Sequence, residues 1–374
     1  MTMVLFAYIT ASMILPLKLS WKFKIPMAFA IFCIAQKNGI LRRIGGGLFF
    51  SPEVPRCMLI IIAFLYGVLF FAAAFLLFKD IFVLQVWRIL EYKKILKRKF
   101  PHGIIVCVIL AFSALLSGYS LYEGLVVPPL KYVDMKFDNL PPDFDGFRIA
   151  VLADLHASAV NQAPFIERIV DLTMAEKADL IVLPGDIIDG RVDKRIEDIV
   201  PLRKLSAPYG VYAALGNHEY YSGYEDWLNK FAEMKLPVLI NANVKIERGK
   251  SAIYLGGIAD YAAILHKKEP PSLVKTWAGV PADGFKILLS HQLKNLREHA
   301  ASGAALQISG HTHGGMIIGM DRLLIAPVNN GVVRGEYDIG NMKLYISAGA
   351  SLWSGFPLRL GIQPEITIIR LLKK

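Results

Sequence analysis

The stretch Arg148-Ile149-Ala150-Val151-Leu152-Ala153-Asp154-Leu155-His156 decides the fold, because an apolar run in it ends in two polar side chains. A short, β-branched run of this kind predicts a buried strand, and the polar residues after it predict a loop. Aspartate and histidine are both common metal ligands. The stretch therefore predicts a strand that presents Asp154 and His156 at one edge of a sheet.

Four more segments further along the chain repeat this arrangement of an apolar run followed by polar residues. They are Gly185-Asp186, Gly216-Asn217-His218-Glu219, His291, and Gly310-His311-Thr312-His313. A lone aspartate or histidine is usually a cap, surface or core residue, but five of the eight histidines fall inside this series. Two divalent cations held about 3.5–4 Å apart can clamp a phosphoryl group and activate a water, so the series predicts a two-metal hydrolase.

Further apolar runs predict an α/β fold with many strands and few long helices. The predicted strands are 148–152, 179–183, 210–215, 252–258, 285–290, 306–309, 343–347 and 365–371. Strands alternating with polar loops and helices favour an α/β sandwich built from a pair of mixed sheets.

Together the five segments resemble the calcineurin-like metallophosphoesterase superfamily, whose pattern is DxH, GD, GNH[DE], H and GHxH. All elements occur here in that order. The extensions Gly216-Asn-His-Glu-Tyr-Tyr-Ser-Gly223 and Gly310-His-Thr-His-Gly-Gly315 resemble the membrane-attached bacterial branch with an N-terminal transmembrane region. The resemblance implies a metallophosphoesterase-type sandwich of two mixed sheets flanked by helices, preceded by α-helical membrane spans.

The resemblance also assigns roles to individual residues. It implies that one metal is held by Asp154, His156 and His313, the other by Asn217, His291 and His311, and that Asp186 bridges them. The cofactors would be two divalent ions, and oxygen and imidazole ligands suit Mn, Fe, Zn or Co. Attack by metal-bound hydroxide would then cleave the phosphate ester.

The residues after Asn217 are candidates for catalysis. We expect His218 to protonate the leaving oxygen or to stabilise charge in the transition state. Glu219 would orient His218 or support the metal ligands. Asp260 has two interpretations, a residue beside the site or a helix cap.

Two positions depart from the family pattern. Gln292-Leu293 follows His291 where Gln-Pro is frequent in this branch, and Met316 follows Gly315 where Gln is frequent. Neither position is an expected metal ligand, so the departures concern substrate contacts.

The N-terminal third has the composition of a membrane region, in a chain with a mean hydropathy of +0.43. Residues 57–78 and 103–122 contain no charge and are long enough to span a bilayer. Residues 1–17 are also uncharged and predict a third span. The short run 25–36 is either a fourth span or an interfacial segment, so we predict three to four spans within 1–123.

Most of the net charge of +11 lies in this third, which contains 14 basic and 4 acidic residues before position 124. A nucleic-acid-binding domain needs its basic residues on the folded domain, so we expect no nucleic-acid partner. The loop 79–102 is basic and is expected to be cytoplasmic, although a solvated amphipathic helix would have the same composition. The protein would then be an integral protein of the cell or inner membrane, with its catalytic domain on the extracytoplasmic side.

Beyond residue 123 we expect a linker and edge strand over 124–146 and a catalytic domain over 147–374. Within the linker, Pro128-Pro129 and Pro141-Pro142 bracket the segment 130–140, which is the expected strand. The leading functional prediction is a membrane-anchored two-metal phosphoesterase acting on a phosphomonoester or phosphodiester, and a lipid-linked ester is one candidate substrate. Two alternatives are a pyrophosphatase of a nucleotide-linked lipid precursor and a non-catalytic, metal-binding membrane scaffold.

Overall fold

The computed structural model describes residues 2–95 and 101–374, and these form two compact units. One unit contains Met1–Glu123 together with Gly355–Leu358, and the other contains Gly124–Ser354 and Arg359–Lys374. Lys97, Arg98 and Lys99 of the predicted basic loop lie outside the described residues.

The first unit is helical. Its helices are Thr2–Ile9, continued by the π-helix Thr10–Ile14, then Trp21–Ala35, Lys37–Gly45, Arg56–Phe78, the π-helix Lys79–Val83, Leu84–Tyr92, and His102–Leu125. Aliphatic side chains from several of them, including Ile9, Leu76 and Ile109, pack into one buried cluster. Because Lys79–Val83 joins its neighbours without a break, Arg56–Tyr92 is one continuous helix of 37 residues.

Two helices of the described residues are long and apolar enough to cross a membrane. They are Arg56–Tyr92 and His102–Leu125, while Thr2–Ile14 is a shorter apolar helix. The helix Trp21–Ala35, at the fourth predicted span, has 15 residues and contains Pro26. A span of about 20 residues is needed to cross the hydrocarbon core, so length and composition select only the first two as candidate transmembrane helices.

The second unit is a sandwich of two mixed sheets. Its strands are β1 (Leu130–Phe137), β2 (Arg148–Val151), β3 (Leu180–Pro184), β4 (Val211–Ala214), β5 (Ala242–Arg248), β6 (Ser251–Gly257), β7 (Phe285–Leu289), β8 (Ala304–Ser309), β9 (Gly335–Ile339), β10 (Met342–Ile346) and β11 (Ile366–Lys373). The five-stranded sheet has the order β1-β11-β2-β3-β4, and the six-stranded sheet has the order β5-β6-β7-β8-β10-β9.

In each sheet the central strands are parallel and antiparallel strands are added beside them. β2, β3 and β4 are parallel, and β11 is antiparallel to β2 but parallel to β1. β6, β7, β8 and β10 are parallel, with β5 and β9 antiparallel at the two edges. The predicted fold class, two mixed sheets with helices around them, is confirmed.

Alternation along the strands explains the layers. In β2, Ile149 and Val151 belong to the core between the two sheets, whereas Ala150 belongs to the core between the first sheet and its helices. In β3, Leu180 and Val182 face the other sheet in the same way. Successive side chains of a strand point to opposite faces, so a strand buried on both faces has an almost continuous apolar sequence.

Helices cover the outer face of the first sheet. The helices of this unit are Ala163–Ala175, Val192–Ile199, Asn217–Glu233, Ala262–Leu265, Leu273–Thr276, Leu296–Ala301 and Ala326–Val328, with 3-10 turns at Pro142–Phe144, Val200–Lys204 and His313–Gly315 and a π-helix at Asp321–Ile325. Ile166, Ile169 and Trp227 contribute to the core against the first sheet. Fully burying such an aliphatic side chain contributes about 1.5–3 kcal/mol, so this layer holds the long helices in place.

Candidate metal and active site

The predicted site residues follow the carboxyl ends of parallel strands in both sheets. Asp154 and His156 follow β2, Asp186 follows β3, and Asn217 and His218 follow β4 in the first sheet. His291 follows β7, and His311 and His313 follow β8 in the second sheet. Parallel strands end at the same edge, so the two sheets present all these side chains at one edge of the sandwich.

The structure brings the predicted metal ligands together in two groups. Ligand atoms of Asp154, His156 and His313 all lie within 4.8 Å of one another, and so do those of Asp186, His291 and His311.

Asp186 belongs to the second group and connects it to the first. Its Oδ2 atom is 3.0 Å from His291 Nε2, 3.7 Å from His156 Nε2 and 3.9 Å from His218 Nε2. A carboxylate in this position can contribute one oxygen to each of two cations.

Two buried polar atoms in the cluster have no hydrogen-bond partner among the described residues. They are His156 Nε2 and Asn217 Oδ1. A buried polar atom without a partner is unfavourable by about 1–3 kcal/mol, so native structures rarely leave two in one cluster. Nitrogen and oxygen atoms of this kind are the donors that divalent transition metals accept, and the residues therefore fit a metal centre.

The other ring nitrogen of three of these histidines is held by a hydrogen bond. His291 Nδ1 lies 2.9 Å from the carbonyl oxygen of Pro184, and His313 Nδ1 lies 3.0 Å from that of Ser351. His156 Nδ1 lies 3.0 Å from Asp189 Oδ1. With Nδ1–H donating, the lone pair of Nε2 faces the cluster, which is the arrangement that orients metal-binding histidines.

Asp189 is a member of the cluster that the sequence did not lead us to select. It is fully buried, and its Oδ1 atom accepts hydrogen bonds from Nδ1 of both His156 and His218. Asp189 is the third residue after Asp186 in Gly185-Asp-Ile-Ile-Asp189. This second carboxylate, so close to a predicted ligand, was the available signal.

The two aspartates change the charge state of His218. Burial lowers the pKa of His218, but the negative charges of Asp186 and Asp189 outweigh burial and raise it to about 9. For Asp189 burial acts in the opposite direction and raises the pKa, but the positive charges of His156 and His218 outweigh burial and lower it to about 2. In the metal-free chain His218 therefore carries its proton near neutral pH, with Nδ1 oriented by Asp189.

The histidines after β8 are neutral. Burial, followed by the positive charge of His291, lowers the pKa of His311 to about 3, and burial lowers that of His313. His291 differs, because Asp186 outweighs burial and raises its pKa to about 10. Since imidazole must lose this proton to coordinate a metal, cation binding at His291 would release a proton.

Glu219 contacts backbone amides rather than His218. Its carboxylate accepts hydrogen bonds from the N–H groups of Gly216 at 2.7 Å, Ile187 at 2.7 Å and Asp186 at 3.1 Å. The bond from Gly216 forms part of a capping box at the start of helix Asn217–Glu233. Of the two predicted roles of Glu219, these contacts favour support of the loops that carry the ligands, while Asp189 is the residue that orients His218.

Five of the predicted ligands have a left-handed backbone conformation. Their φ angles lie between 42° and 74°, and the residues are Asp154, His156, Asp186, His311 and His313. For a residue other than glycine this conformation is unfavourable by about 1–2 kcal/mol. Such strain is typical of functional sites, where the surrounding structure fixes the direction of side chains.

Two glycines allow the aspartates to approach the backbone closely. A Cβ atom on Gly216 would lie 2.2 Å from Asp186 Oδ1, and one on Gly310 would lie 2.3 Å from Asp154 Oδ2. The same carboxylates accept hydrogen bonds from backbone N–H groups, Asp186 from His218 and Asp154 from His311. These positions therefore require glycine because of the close contact.

Aromatic and polar residues surround the cluster. The Trp353 ring lies 5.1 Å from that of His313, and the Tyr221 ring lies 5.6 Å from that of His218. Asp260 is buried and accepts hydrogen bonds from Ala262 N and Gln292 Nε2, both at 2.8 Å. Asp260 therefore binds the start of a short helix and also the residue that follows His291.

Comparisons with known proteins identify the family of this chain. The family model described as calcineurin-like phosphoesterase matches residues 147–315. An uncharacterized metallophosphoesterase of Campylobacter jejuni is 32% identical over 82% of this chain and 78% of its own length. A zebrafish (Danio rerio) transmembrane protein with a metallophosphoesterase domain is 29% identical over 70% of this chain and 61% of its own length. An NAD nucleotidase of Haemophilus influenzae, a solved structure, has a TM-score of 0.38 and 15% identity over 55% of this chain and 45% of that one.

Proposed function

Because the chain belongs to the calcineurin-like phosphoesterase family, we propose that it is a membrane-anchored, two-metal enzyme that hydrolyses a phosphomonoester or phosphodiester. The coarser statement, a metal-dependent phosphoester hydrolase, follows from family membership. The number of metals, the membrane attachment and the substrate are the parts that we propose.

The observation that carries the proposal is the pair of ligand groups that Asp186 connects. The first group, Asp154, His156 and His313, would hold one cation. Asn217, His291 and His311 would hold the other, with Asp186 between them. Bound divalent cations supply positive charge that binds phosphoryl oxygens and lowers the pKa of a coordinated water.

We assign His218 a role at the leaving group. Its Nδ1 is bonded to Asp189, its Nε2 lies 3.9 Å from Asp186 Oδ2, and these two carboxylates raise its pKa to about 9 in the metal-free chain. We assign it donation of the Nε2 proton to the leaving oxygen, which departs as an alcohol. Asp189 keeps the ring oriented and stabilises its positive charge until that proton is transferred.

Two observations support attachment to a membrane. Arg56–Tyr92 and His102–Leu125 have the length and composition of spans, and a similar zebrafish protein is described as a transmembrane protein with this domain. Arg88 lies near the end of the first of these helices, and Lys93 and Lys94 follow it, which favours a cytoplasmic position for that end. The catalytic domain would then be extracytoplasmic.

Hydrolysis by the full-length protein tests the enzymatic part. We expect protein that is purified in detergent and stripped of metal to hydrolyse bis-p-nitrophenyl phosphate or p-nitrophenyl phosphate after addition of Mn, Fe, Zn or Co. If the protein remains folded and none of these metals restores hydrolysis of either ester, the catalytic proposal is wrong and the non-catalytic scaffold replaces it.

Membrane orientation separates the leading proposal from the pyrophosphatase of a nucleotide-linked lipid. That substrate would be expected on the cytoplasmic face. A reporter fused after Lys374 should report an extracytoplasmic position. A cytoplasmic signal would reverse the orientation and favour the pyrophosphatase.

A further inference from the structure

A segment with exposed aliphatic side chains follows the last metal-ligand motif. It consists of residues 316–333 and is called here the aliphatic loop. Leu323 is 77% exposed and Val328 is 78% exposed, and Ile318 and Leu324 are also exposed. The π-helix Asp321–Ile325 and the helix Ala326–Val328 carry three of these four residues.

The base of the aliphatic loop is fixed to the metal-ligand motif. Asp321 is buried against Gly315, where an added Cβ would lie 2.4 Å from Asp321 Cβ. Arg334 donates hydrogen bonds to Asp321 Oδ2 at 2.8 Å and to the Gly314 carbonyl at 2.7 Å. The exposed side chains therefore belong to a segment that is held in place beside His313.

A second exposed aliphatic segment lies on the His218 side of the cluster. Leu265 is 80% exposed and Ile264 is also exposed. The next residue, His266, has its ring 5.6 Å from that of Tyr221, which in turn lies 5.6 Å from His218. Exposed aliphatic side chains thus precede a histidine that is linked to His218 through Tyr221, and others follow the motif of His313.

The surroundings of these side chains indicate what they contact. Single exposed aliphatic residues are normal, but here they occur in two segments that both adjoin the ligand cluster. Each segment also has an exposed cation, Arg322 within the aliphatic loop and Lys267 two residues after Leu265. Exposed aliphatic residues next to lysine and arginine are typical of segments that rest in a lipid interface and attract anionic lipids.

We propose that the aliphatic loop and the segment 264–265 contact the hydrocarbon of a lipid surface, so that the phosphate entering the cluster belongs to an amphiphilic, membrane-bound ester. This inference rests on the proposed function and names its substrate class. The candidate transmembrane helices in the same chain favour a lipid surface as the occupant, because they would keep the domain at a bilayer.

The test compares two chromogenic substrates with the same reacting group. Full-length protein in detergent micelles is assayed with methyl 4-nitrophenyl phosphate and with hexadecyl 4-nitrophenyl phosphate. The measured quantity is the ratio of kcat/KM for the long ester to kcat/KM for the short one. The main variant is L323Q/L324Q, and L265Q tests the second segment. V274Q is the matched control, since Val274 is 86% exposed on a helix that packs against β5.

The expected result is a fall in this ratio of at least about tenfold in L323Q/L324Q, because two leucine contacts with hydrocarbon are lost. L265Q should lower the ratio as well, and V274Q should keep the wild-type ratio. An unchanged ratio in L323Q/L324Q would overturn the inference even if both esters are hydrolysed.

Other outcomes separate this inference from the proposed function. Wild-type protein that cleaves the methyl ester but never the hexadecyl ester would refute the lipid substrate and leave the phosphoesterase intact. No cleavage of either diester, nor of p-nitrophenyl phosphate, with any divalent metal would refute both. A change of oligomeric state in L323Q/L324Q, with the ratio unchanged, would show that the aliphatic loop binds a second copy of the chain.

Discussion

Single carboxylates in this site serve several partners at once. Asp186 lies beside His156, His218 and His291, and Asp189 bonds both His156 and His218. Each carboxylate therefore links residues from different strand ends. The cluster depends on these shared contacts, so single substitutions should have distinct effects on metal binding and on rate.

Replacing His218 should slow hydrolysis without changing the metal content of the protein. His218→Gln retains a side chain of similar reach but cannot donate a proton as imidazolium does. We expect the rate to fall by about 10²–10⁴-fold, the usual contribution of a general acid. Metal content, measured by mass spectrometry of the purified protein, should stay at the wild-type value. Loss of metal together with rate would place His218 among the metal ligands instead.

Replacing Asp189 should affect metal affinity and the rate of hydrolysis. Asp189→Asn leaves Nδ1 of His156 and His218 without their anionic partner, so metal affinity or rate should fall by about 10–100-fold. Asp193→Asn is the matched control, because Asp193 is exposed and four residues further on. Equal activity of the two variants would show that Asp189 does not position either histidine.

At the scale of single residues, the sequence predicted which side chains come together better than it predicted their surroundings, and the metal-binding role of these side chains stays a prediction. All eight residues from Asp154 to His313 that were selected for metal binding or proton transfer surround one cluster, because each follows a strand end. Asp189 was missed because its role depends on the distance to His156 and His218, which lie on other loops. The left-handed conformations of the ligands were also not predictable, since non-glycine residues rarely adopt them.

The strand-end loops are the elements on which the site depends. In these loops the ligand residues have a left-handed backbone conformation, and nearby glycines contact the carboxylates of Asp154 and Asp186. The loop backbone, and not only the side chains, therefore determines the geometry of the site. Glu219 stabilises two of these loops by accepting bonds from Gly216, Asp186 and Ile187.

A methyl group at Gly310 should disturb the site through this backbone. The Cβ of Gly310→Ala would clash with Asp154, and forced insertion of a methyl into a packed region typically destabilises by about 1–3 kcal/mol. We expect lower metal affinity and a lower melting temperature. Gly103→Ala is the control, because an added Cβ there meets no atom within 4 Å. Wild-type metal affinity in Gly310→Ala would contradict the close contact.

The elements that escaped prediction are edge strands. Every predicted strand from 148 onward corresponds to an observed one within a few residues, whereas β5 and β9 were not predicted. Both lie at an edge of the six-stranded sheet, and both alternate apolar residues with charged ones, as in Asn243-Val-Lys-Ile-Glu-Arg248. An edge strand with a solvated face has a weak apolar pattern, so the sequence did not separate it from a loop.

The whole chain combines an apolar helical unit with a catalytic sandwich. The predicted family and fold class are confirmed, and the separation at residue 123 between the two predicted regions remains a proposal. Three to four spans were predicted, and two helices of the described residues have the required length and composition. The number of spans and the membrane orientation stay predictions, because charge and hydropathy alone support them.

Metal removal should lower the stability of the whole protein. The cluster holds strained ligands and unpartnered buried atoms, and a cation that binds only the folded state stabilises it by about 2.7 kcal/mol at 100 times its Kd. Chelation by EDTA should therefore lower the melting temperature by about 5–10 °C in a fluorescence-monitored melt. Readdition of Mn should restore it. The same melting temperature with and without EDTA would indicate that no metal occupies the folded protein.

The most direct test of the central claim measures metal content and hydrolysis on the same preparations of wild-type protein and of Asp186→Asn. The wild type should bind about two divalent ions per chain and hydrolyse bis-p-nitrophenyl phosphate or p-nitrophenyl phosphate. Asp186→Asn should remain folded and lose both ions and activity together, because this carboxylate lies between the two ligand groups. Wild-type hydrolysis by Asp186→Asn, or a metal-loaded wild type that hydrolyses neither ester, would contradict the account.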